Sequence, residues 1–357
     1  MKQPAIADLY SDYLLASFGA TTATGLSHLL EGEISHDQVT RYLAGPQQTA
    51  SDLWRTVKAF VREVQSEAGV LILDDSIEEK PYTDENDIVC WHYDHSKDRM
   101  LKGINFLTVL YSSQGVNVPV GFHLVAKTET YLDPKTQKEK RRSAVSKNTV
   151  GQELIEQAVR NRIPFRFVLF DVWFASAETM VFLKRKQRRD FICPLKTNRK
   201  VALSLADKRQ GRYVRVDTLE LEAQARREIY LEGVDFPLML VKQVFTNEDG
   251  SIGIRYLVSS ETTLSFEDVT TTYHKRWEVE CYHKSLKQNV SLAKSPTQTV
   301  TTQTNHFFAA LCGFIKLERL KMKTQLNHFT LKAKLYLNAL HSAFATLRAL
   351  TPVQGSA

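Results

Sequence analysis

Apolar and polar positions alternate along this chain in a way that predicts a mixed set of strands and helices. Two apolar runs, 70–73 and 165–170, the second interrupted only by Arg166, are each followed by aspartate, as expected where buried central strands leave a sheet. Two further strand-like runs lie between them and are joined by Ser113-Gln-Gly115, which predicts a hairpin. In chain order the predicted elements are strands at 70–74, 104–112 and 116–127, a helix at 146–162, a strand at 165–171, a helix at 176–188 and a strand at 191–195.

The spacing of apolar residues differs among the remaining parts of the chain. Residues 1–66 show helical spacing, and Thr24–Leu30 followed by Ser35–Leu43 predicts a helix-turn-helix. Residues 201–260 have the alternation of strands, and helical patterns return from about 305 to 350. We therefore expect three parts: a helical domain at 1–66 that is a candidate for binding DNA ends, a catalytic α/β domain at 67–200 and 261–350 that includes the C-terminal helices, and an inserted β-subdomain at 201–260.

The stretch from Tyr273 to Lys287 carries the densest candidate chemistry. At about 100° per residue, Tyr273, Arg276, Glu280 and Lys287 fall within roughly 60° on one face of a predicted helix. A carboxylate among cations at such a position indicates a metal-assisted phosphate site. The alternative is a surface helix in which Glu280 pairs with Arg276 or Lys284, each pair contributing a few tenths of a kcal/mol.

Aspartates at the ends of the two apolar strands favour the functional alternative. The first strand ends in Asp74-Asp75-Ser76 and the other in Asp171. The order of elements is that of an RNase H-like mixed sheet with flanking helices, in which such acids meet an acid of a late helix above the sheet. Three carboxylates at one place repel one another unless cations neutralise them, and two divalent ions about 3.5 to 4 Å apart do so in phosphoryl-transfer sites.

These motifs resemble the DDE transposases of bacterial insertion sequences, in the family-four branch with a Y-(2)-R-(3)-E-(6)-K signature. Tyr273, Arg276, Glu280 and Lys287 reproduce that spacing, while LDDS and FDVWF resemble the first and second acid motifs. The resemblance implies that Asp75, Asp171 and Glu280 bind the metal and that Tyr273, Arg276 and Lys287 hold phosphates. Periodicity alone leaves Asp74 and Asp75 open, because they point to opposite faces of a strand whose two faces are both apolar.

The implied activity is metal-dependent cleavage of transposon-end DNA followed by attack of the free 3′ hydroxyl on target DNA. Two Mg²⁺ or Mn²⁺ ions would be the cofactors, and a homodimer would pair two ends of double-stranded DNA. One alternative is an RNase H-like structure-specific endonuclease without strand transfer. Another is a DNA-binding protein that has lost catalysis, against which the three intact acids argue.

Further candidates for DNA contact lie near these motifs. Trp277 and Trp173 neighbour catalytic positions and are candidates for stacking on an unpaired base, although packing in the core is the commoner role of such residues. Basic side chains of the run 184–200 and of the late helix are candidates for phosphate contact, namely Arg185, Arg188, Arg189 and Lys284. For the basic run 135–147 the sequence favours neither DNA contact nor a solvated loop.

Composition agrees with a nucleic-acid partner without requiring one. The net charge is +7 and the pI about 9.1, yet residues 1–66 carry five basic and seven acidic residues. The four cysteines have no C-x-x-C spacing, which fits a reducing cytoplasm. The chain shows no signal peptide and no long apolar run, so we expect no membrane partner and a bacterial cytoplasmic protein that associates with the nucleoid when it acts.

Overall fold

The computed structural model describes residues 5–94 and 97–350. Within these ranges the α-helices are α1 (Ile6–Ala16), α2 (Ala23–Leu29), α3 (His36–Leu43), α4 (Ala50–Val64), α5 (Lys147–Arg160), α6 (Ala177–Val181), α7 (Leu205–Arg209), α8 (Phe266–His274), α9 (Trp277–Asn289), α10 (Val300–Thr324) and α11 (His328–Leu350). None of them is long and apolar enough to cross a membrane.

The strands of the same ranges are β1 (Val70–Glu79), β2 (Val89–Asp94), β3 (Arg99–Ser113), β4 (Val116–Leu124), β5 (Glu129–Leu132), β6 (Glu139–Arg142), β7 (Phe167–Phe170), β8 (Asp190–Leu195), β9 (Lys200–Ala202), β10 (Val214–Arg215), β11 (Arg226–Leu231), β12 (Leu238–Thr246) and β13 (Ile252–Ser259). All except β5 and β6 belong to one large sheet.

The centre of the large sheet confirms the predicted RNase H-like class. Its strands run in the order β4, β3, β1, β7, β8. β1, β7 and β8 are parallel, whereas β3 and β4 form an antiparallel hairpin. Apolar side chains bury both faces of β1 and β7 up to Leu73 and Phe170, so each strand delivers an aspartate directly to the edge of the core.

Strands after β8 extend this sheet. β13 pairs antiparallel with β8, and β12, β11, β9 and β10 continue the order outward. The predicted insertion of strands before the late helix is therefore present. The stretch 213–221 is strand only at Val214–Arg215 and continues as a 3-10 helix from Val216 to Thr218.

Short polar side chains begin several helices as the sequence predicts. Ser35 closes a capping box on α3. Ser146 accepts a hydrogen bond from the backbone N–H of Thr149 at the start of α5, and Ser176 accepts one from the backbone N–H of Thr179 at the start of α6. α6 is shorter than the predicted 176–188 helix, because the backbone widens to a π-helix at Phe182–Lys186.

The described chain forms two compact units. The sheet unit contains residues 49–77 and 90–281, and the helical unit contains residues 5–48, 78–89 and 282–350. Within the helical unit, the N-terminal helices pack against α10: the Tyr10 hydroxyl lies 3.0 Å from His306 Nδ1, and Asn305 Nδ2 donates to the carbonyl of Leu43 at 2.9 Å. These boundaries differ from those of the three parts expected from the sequence. The division into three functional parts stays a prediction.

Candidate active site

The two aspartates of β1 have different surroundings within the sheet unit. The expectation that this strand ends at Asp74 and Asp75 was wrong, because β1 continues to Glu79. Asp74 is buried and Asp75 half-buried. Asp74 Oδ2 accepts a hydrogen bond from Arg276 Nη1 at 3.1 Å. Asp75 Oδ2 accepts hydrogen bonds from Asn105 Nδ2 at 2.7 Å and from Lys147 Nζ at 2.6 Å. The neighbouring acids thus have separate partners, as alternation along a strand requires.

Asp171 follows β7, the parallel neighbour of β1. Its Oδ1 accepts hydrogen bonds from the backbone N–H groups of Trp173 at 2.9 Å and of Phe174 at 3.4 Å. This turn fixes the carboxylate at the carboxyl end of the strand, where the register pairs Leu73 with Phe170. The acids of β1 and β7 therefore leave the sheet side by side.

Arg276 lies between two helices and not within one. The expectation of one continuous helical face from Tyr273 to Lys287 was wrong, because α8 ends at His274 and α9 begins at Trp277. Hydrogen bonds from residue i+3 to residue i tighten the joining turn: Arg276 N donates to the Tyr273 carbonyl at 2.9 Å, and Val279 N donates to the Arg276 carbonyl at 3.1 Å.

The guanidinium of Arg276 joins the acid of the late helix to the acid of the first strand. Its Nη1 donates to Asp74, as described above, and its Nη2 donates to Glu280 Oε1 at 3.1 Å. The Glu280 side chain is 41% exposed, while that of Asp74 is 10% exposed. Each of these carboxylates offers a ligand oxygen, and the two oxygens lie within 4.8 Å of each other.

Electrostatic coupling shows that the acids share one region. Burial raises the pKa of Asp74 well above its usual value; Arg276 opposes this shift, while Asp171, Glu280 and Asp75 add to it. Burial also raises the pKa of Asp171, and the charge of Asp75 contributes in the same direction. The four carboxylates of Asp74, Asp75, Asp171 and Glu280 therefore outnumber the two cations that bind them, Arg276 and Lys147, and a divalent cation would relieve the excess of negative charge. The residues present thus fit the metal ions that the resemblance implies.

Tyr273 and the two tryptophans have contrasting exposure. The ring of Tyr273 is buried, and burial raises the pKa of its hydroxyl. Trp173 and Trp277 are 53% and 62% exposed, so neither side chain is part of the core. Lys196 Nζ lies 5.3 Å from the ring centre of Trp173. Two exposed indoles therefore flank Asp171 and Glu280 in sequence, where a base could stack on them.

Arg185 and Arg189, two of the predicted DNA-binding cations of the run 184–189, have partners in the sheet unit. Arg185 Nε contacts Asp235 at 2.9 Å, and the guanidinium of Arg189 lies 4.8 Å from the ring centre of Phe165. Arg188 is exposed and has a left-handed backbone with φ of 53°. Lys284 and Lys287 lie further along α9 in the helical unit, where Lys284 Nζ is 5.3 Å from the ring centre of Phe329. A phosphate role for these five residues stays a prediction.

Sequence reasoning did not identify Asn105 or Lys147. Asn105 is a buried amide within the apolar strand β3, and within the described chain its Oδ1 has no hydrogen-bond partner. A polar residue inside an apolar strand was the available signal, because burial of an amide is costly unless it performs a task. Lys147 gave no such signal, since it stands at the start of a helix among other basic residues.

An RNase H-like core with acids within β1, directly after β7 and on α9 defines the class of the protein. The family model described as "DDE superfamily endonuclease" matches residues 2–215, more than half of the chain, so the chain belongs to that family. The model described as "Transposase DDE domain" matches residues 140–314. The two matched ranges overlap around Asp171, and the second includes Glu280.

A solved structure similar to this chain is the "Drosophila P element transposase strand transfer complex". The sequence identity is 12%, the TM-score is 0.28, and the match covers 51% of this chain and 37% of that one. This chain thus spans little more than a third of the solved chain. No curated protein matches it.

Proposed function

We propose that the protein is a transposase that cleaves DNA at transposon ends and joins the 3′ hydroxyl to target DNA in a cut-and-paste reaction. The observation that carries this proposal is the coupling of Asp74, Asp171 and Glu280 around one arginine at the carboxyl edge of an RNase H-like sheet. The match to transposase DDE domains supports the same activity.

Each residue has a distinct role in this proposal. A carboxylate of β1 together with those of Asp171 and Glu280 would hold two Mg²⁺ or Mn²⁺ ions, which would activate the attacking oxygen and stabilise the leaving oxygen. Arg276 orients the carboxylates that it bridges, because its planar guanidinium donates to both at fixed angles. Tyr273 and Lys287 contact phosphates of the cleaved strand, as the Y-R-E-K resemblance implies.

Either Asp74 or Asp75 of β1 could be the metal ligand that acts with Asp171 and Glu280. The resemblance favours Asp75, which precedes the hydroxyl residue Ser76. Both aspartates of β1 lie near the other acids: Asp74 is buried against Arg276 and feels the charges of Asp171 and Glu280, whereas Asp75 is held by Lys147 and Asn105 and its charge raises the pKa of Asp171. We propose Asp75, Asp171 and Glu280 as the metal ligands, as the resemblance implies, with Asp74 as the alternative acid of β1, and variants at both positions decide between the two.

The test is strand cleavage of a labelled duplex that carries the DNA flanking the protein's own gene, in Mg²⁺ and in Mn²⁺. Asp74→Asn, Asp75→Asn, Asp171→Asn and Glu280→Gln should each reduce cleavage by about 10²-fold or more if the residue is a ligand. Glu178→Gln, near Asp171 in sequence but at the start of α6, is the control. Undiminished cleavage by any of the four variants removes that residue from the site.

A strand-transfer assay separates transposition from simple cleavage. A precut end with a free 3′ hydroxyl should become joined to a plasmid target when both metal and protein are present. Cleavage without joining would favour the alternative, an RNase H-like structure-specific endonuclease. The resemblance to transposases that join strands makes us prefer the first outcome.

A homodimer that pairs two DNA ends completes the proposal. α11 supports it, because Leu337, Leu340, Phe344 and Leu347 are exposed and follow the 3-4 spacing of a helix–helix seam. Terminus recognition by the N-terminal helices α2 and α3 is part of the same hypothesis. Sedimentation of the protein with and without end DNA measures the assembly, and footprinting of a variant with altered α3 tests the second point.

A further inference from the structure

The strands β5 and β6 form a two-stranded ribbon, residues 129–142, that stands apart from the large sheet. No residue from 128 to 147 is buried. An isolated hairpin is marginally stable because it has no core to pack on. Local hydrogen bonds and ion pairs must therefore stabilise this ribbon.

Specific contacts within the ribbon define its shape. Asp133 Oδ1 accepts hydrogen bonds from the backbone N–H groups of Lys135 and Thr136 at 2.9 Å, which closes the turn. The Asp133 carboxylate also pairs with Lys140, and Arg142 Nε donates to Glu129 at 3.0 Å. These pairs join the two strands across their register and leave both faces in solvent.

The charge of the segment is unbalanced. Residues 127–147 contain seven basic and three acidic residues, a net charge of +4 in 21 positions. Lys140, Arg142 and Lys147 each pair with a carboxylate, and Lys135 and Lys138 are exposed. The ribbon segment thus presents a concentrated positive surface on a projecting element.

The base of the ribbon lies at the proposed active site. Lys147, just after the ribbon, donates to Asp75 at 2.6 Å. Lys127, just before it, donates to the carbonyl of Trp91 at 2.5 Å. Burial lowers the pKa of Lys127, and the positive charges of Lys147 and Arg141 lower it further, which shows that the three cations lie near one another.

From this arrangement we infer that the ribbon is a duplex-binding arm, which lies along double-stranded DNA and contacts its phosphates while the adjoining strand passes the acids. The inference rests on the proposed function and names the part of the chain that holds the duplex. A two-stranded β-ribbon fits the major groove, which is about 12 Å wide, and its excess of lysine and arginine complements the charge of the phosphates. Single-stranded DNA would instead call for a row of stacking aromatic residues, whereas the ribbon contains only Tyr131.

The experiment compares two double variants in full-length protein. Lys135→Ala with Lys138→Ala removes two exposed charges from the ribbon, and Arg55→Ala with Lys58→Ala removes two exposed charges from α4 of the same unit. Duplex affinity is measured by fluorescence anisotropy in EDTA at several salt concentrations. The ribbon variant should bind duplex about tenfold more weakly and lower the salt slope by up to about 2, because each phosphate contact contributes about 0.9. The α4 variant should stay within about twofold of the original protein.

Two results would overturn the inference. One is equal affinity of the ribbon and α4 variants for duplex, and the other is a larger loss for single-stranded than for double-stranded DNA. Neither affects the proposed reaction, which the cleavage assay tests separately in the unaltered protein. If that protein fails to cleave DNA but the ribbon variant loses duplex affinity, the arm stands and the proposed activity falls.

Discussion

Arg276 Nη1 lies 3.1 Å from Asp74 Oδ2, although the two residues are 202 positions apart in the chain. The same guanidinium reaches Glu280 through Nη2 at 3.1 Å. One planar cation therefore fixes the angle between the acid of the first strand and the acid of the late helix, which a point charge cannot do.

Arg276→Lys should consequently reduce strand cleavage by about 10²-fold while the fold is retained, because an ammonium can hold one of the two carboxylates but not both in register. Single-turnover cleavage in Mg²⁺ measures the effect, with circular dichroism to verify folding. Arg166→Lys is the matched control, since Arg166 also pairs with a glutamate, Glu261, at 3.2 Å within the sheet unit. Equal rates for the two variants would show that the bridge has no role in the chemistry.

Asp171 gives stability a dependence on pH that can be predicted in sign. Burial raises its pKa above the usual value of 3.8, so the folded protein keeps the proton to higher pH than the unfolded chain does. The contribution of Asp171 to the free energy of unfolding is therefore fully favourable below pH 3.8, and it is lost as the pH rises through the pKa of the folded protein. Asp171→Asn retains a carbonyl to accept the backbone hydrogen bonds. In EDTA the variant should melt higher than the original protein at neutral pH, and the difference should vanish below about pH 4.

The control variant replaces Asp207, an aspartate whose pKa is lowered and not raised. The hydroxyl of Ser204 and then Arg212 lower the pKa of the half-buried Asp207, so its charged form is favoured in the fold. Asp207→Asn should therefore be less stable than the original protein at neutral pH, and that difference should disappear as pH falls. Identical pH profiles for the two variants would contradict the burial of Asp171.

The strands that carry the acids were predictable, because apolar runs such as 70–73 and 167–170 are typical of buried strands. The turn at Arg276 was not, because helical spacing looks the same whether the backbone continues or tightens by one residue. The choice between Asp74 and Asp75 also depends on partners at least 30 positions away, such as Asn105. The catalytic roles therefore stay predictions, although the positions of the acids in the fold are known.

The ribbon was missed for a related reason. Strand prediction depends on a buried face, and residues 129–142 have none, so their polar pattern resembles that of a solvated loop. β2 escaped detection because polar His92 and Asp94 interrupt its apolar residues. Elements that do not bury a regular face leave weak traces in a single sequence.

Gly69, just before β1, lies where no side chain fits. A Cβ at this position would stand 2.7 Å from the ring of Tyr111, which is buried and whose hydroxyl accepts a hydrogen bond from the backbone N–H of Ser66 at 2.9 Å. Gly69→Ala should therefore lower the free energy of unfolding by about 1 to 3 kcal/mol through overpacking. Urea denaturation measures it. Gly19→Ala is the control, because nothing lies within 4 Å of a Cβ there. Equal stability of the two variants would mean that the Tyr111 ring moves without cost.

His328, the first residue of α11, fastens that helix to the helical unit. Its Nδ1 lies 2.9 Å from Ser285 Oγ and its Nε2 lies 3.1 Å from Glu318 Oε1, and all three side chains are buried. Hydrogen bonding by His328 and the charge of Lys321 lower the pKa of Glu318 although burial opposes them, so the glutamate is held as a carboxylate. His328→Ala removes one of its buried partners and should lower the free energy of unfolding by about 3 kcal/mol.

The measurement for His328 is chemical denaturation at pH 7, followed by helical circular dichroism. His341→Ala is the matched control, because His341 is exposed on the same helix and its removal should change stability by less than about 0.5 kcal/mol. If α11 depends on this anchor, His328→Ala should also make the segment after residue 328 more sensitive to protease than His341→Ala does. Equal stability and equal protease resistance in the two variants would show that apolar contacts of α11, and not the buried pair, hold the helix in place.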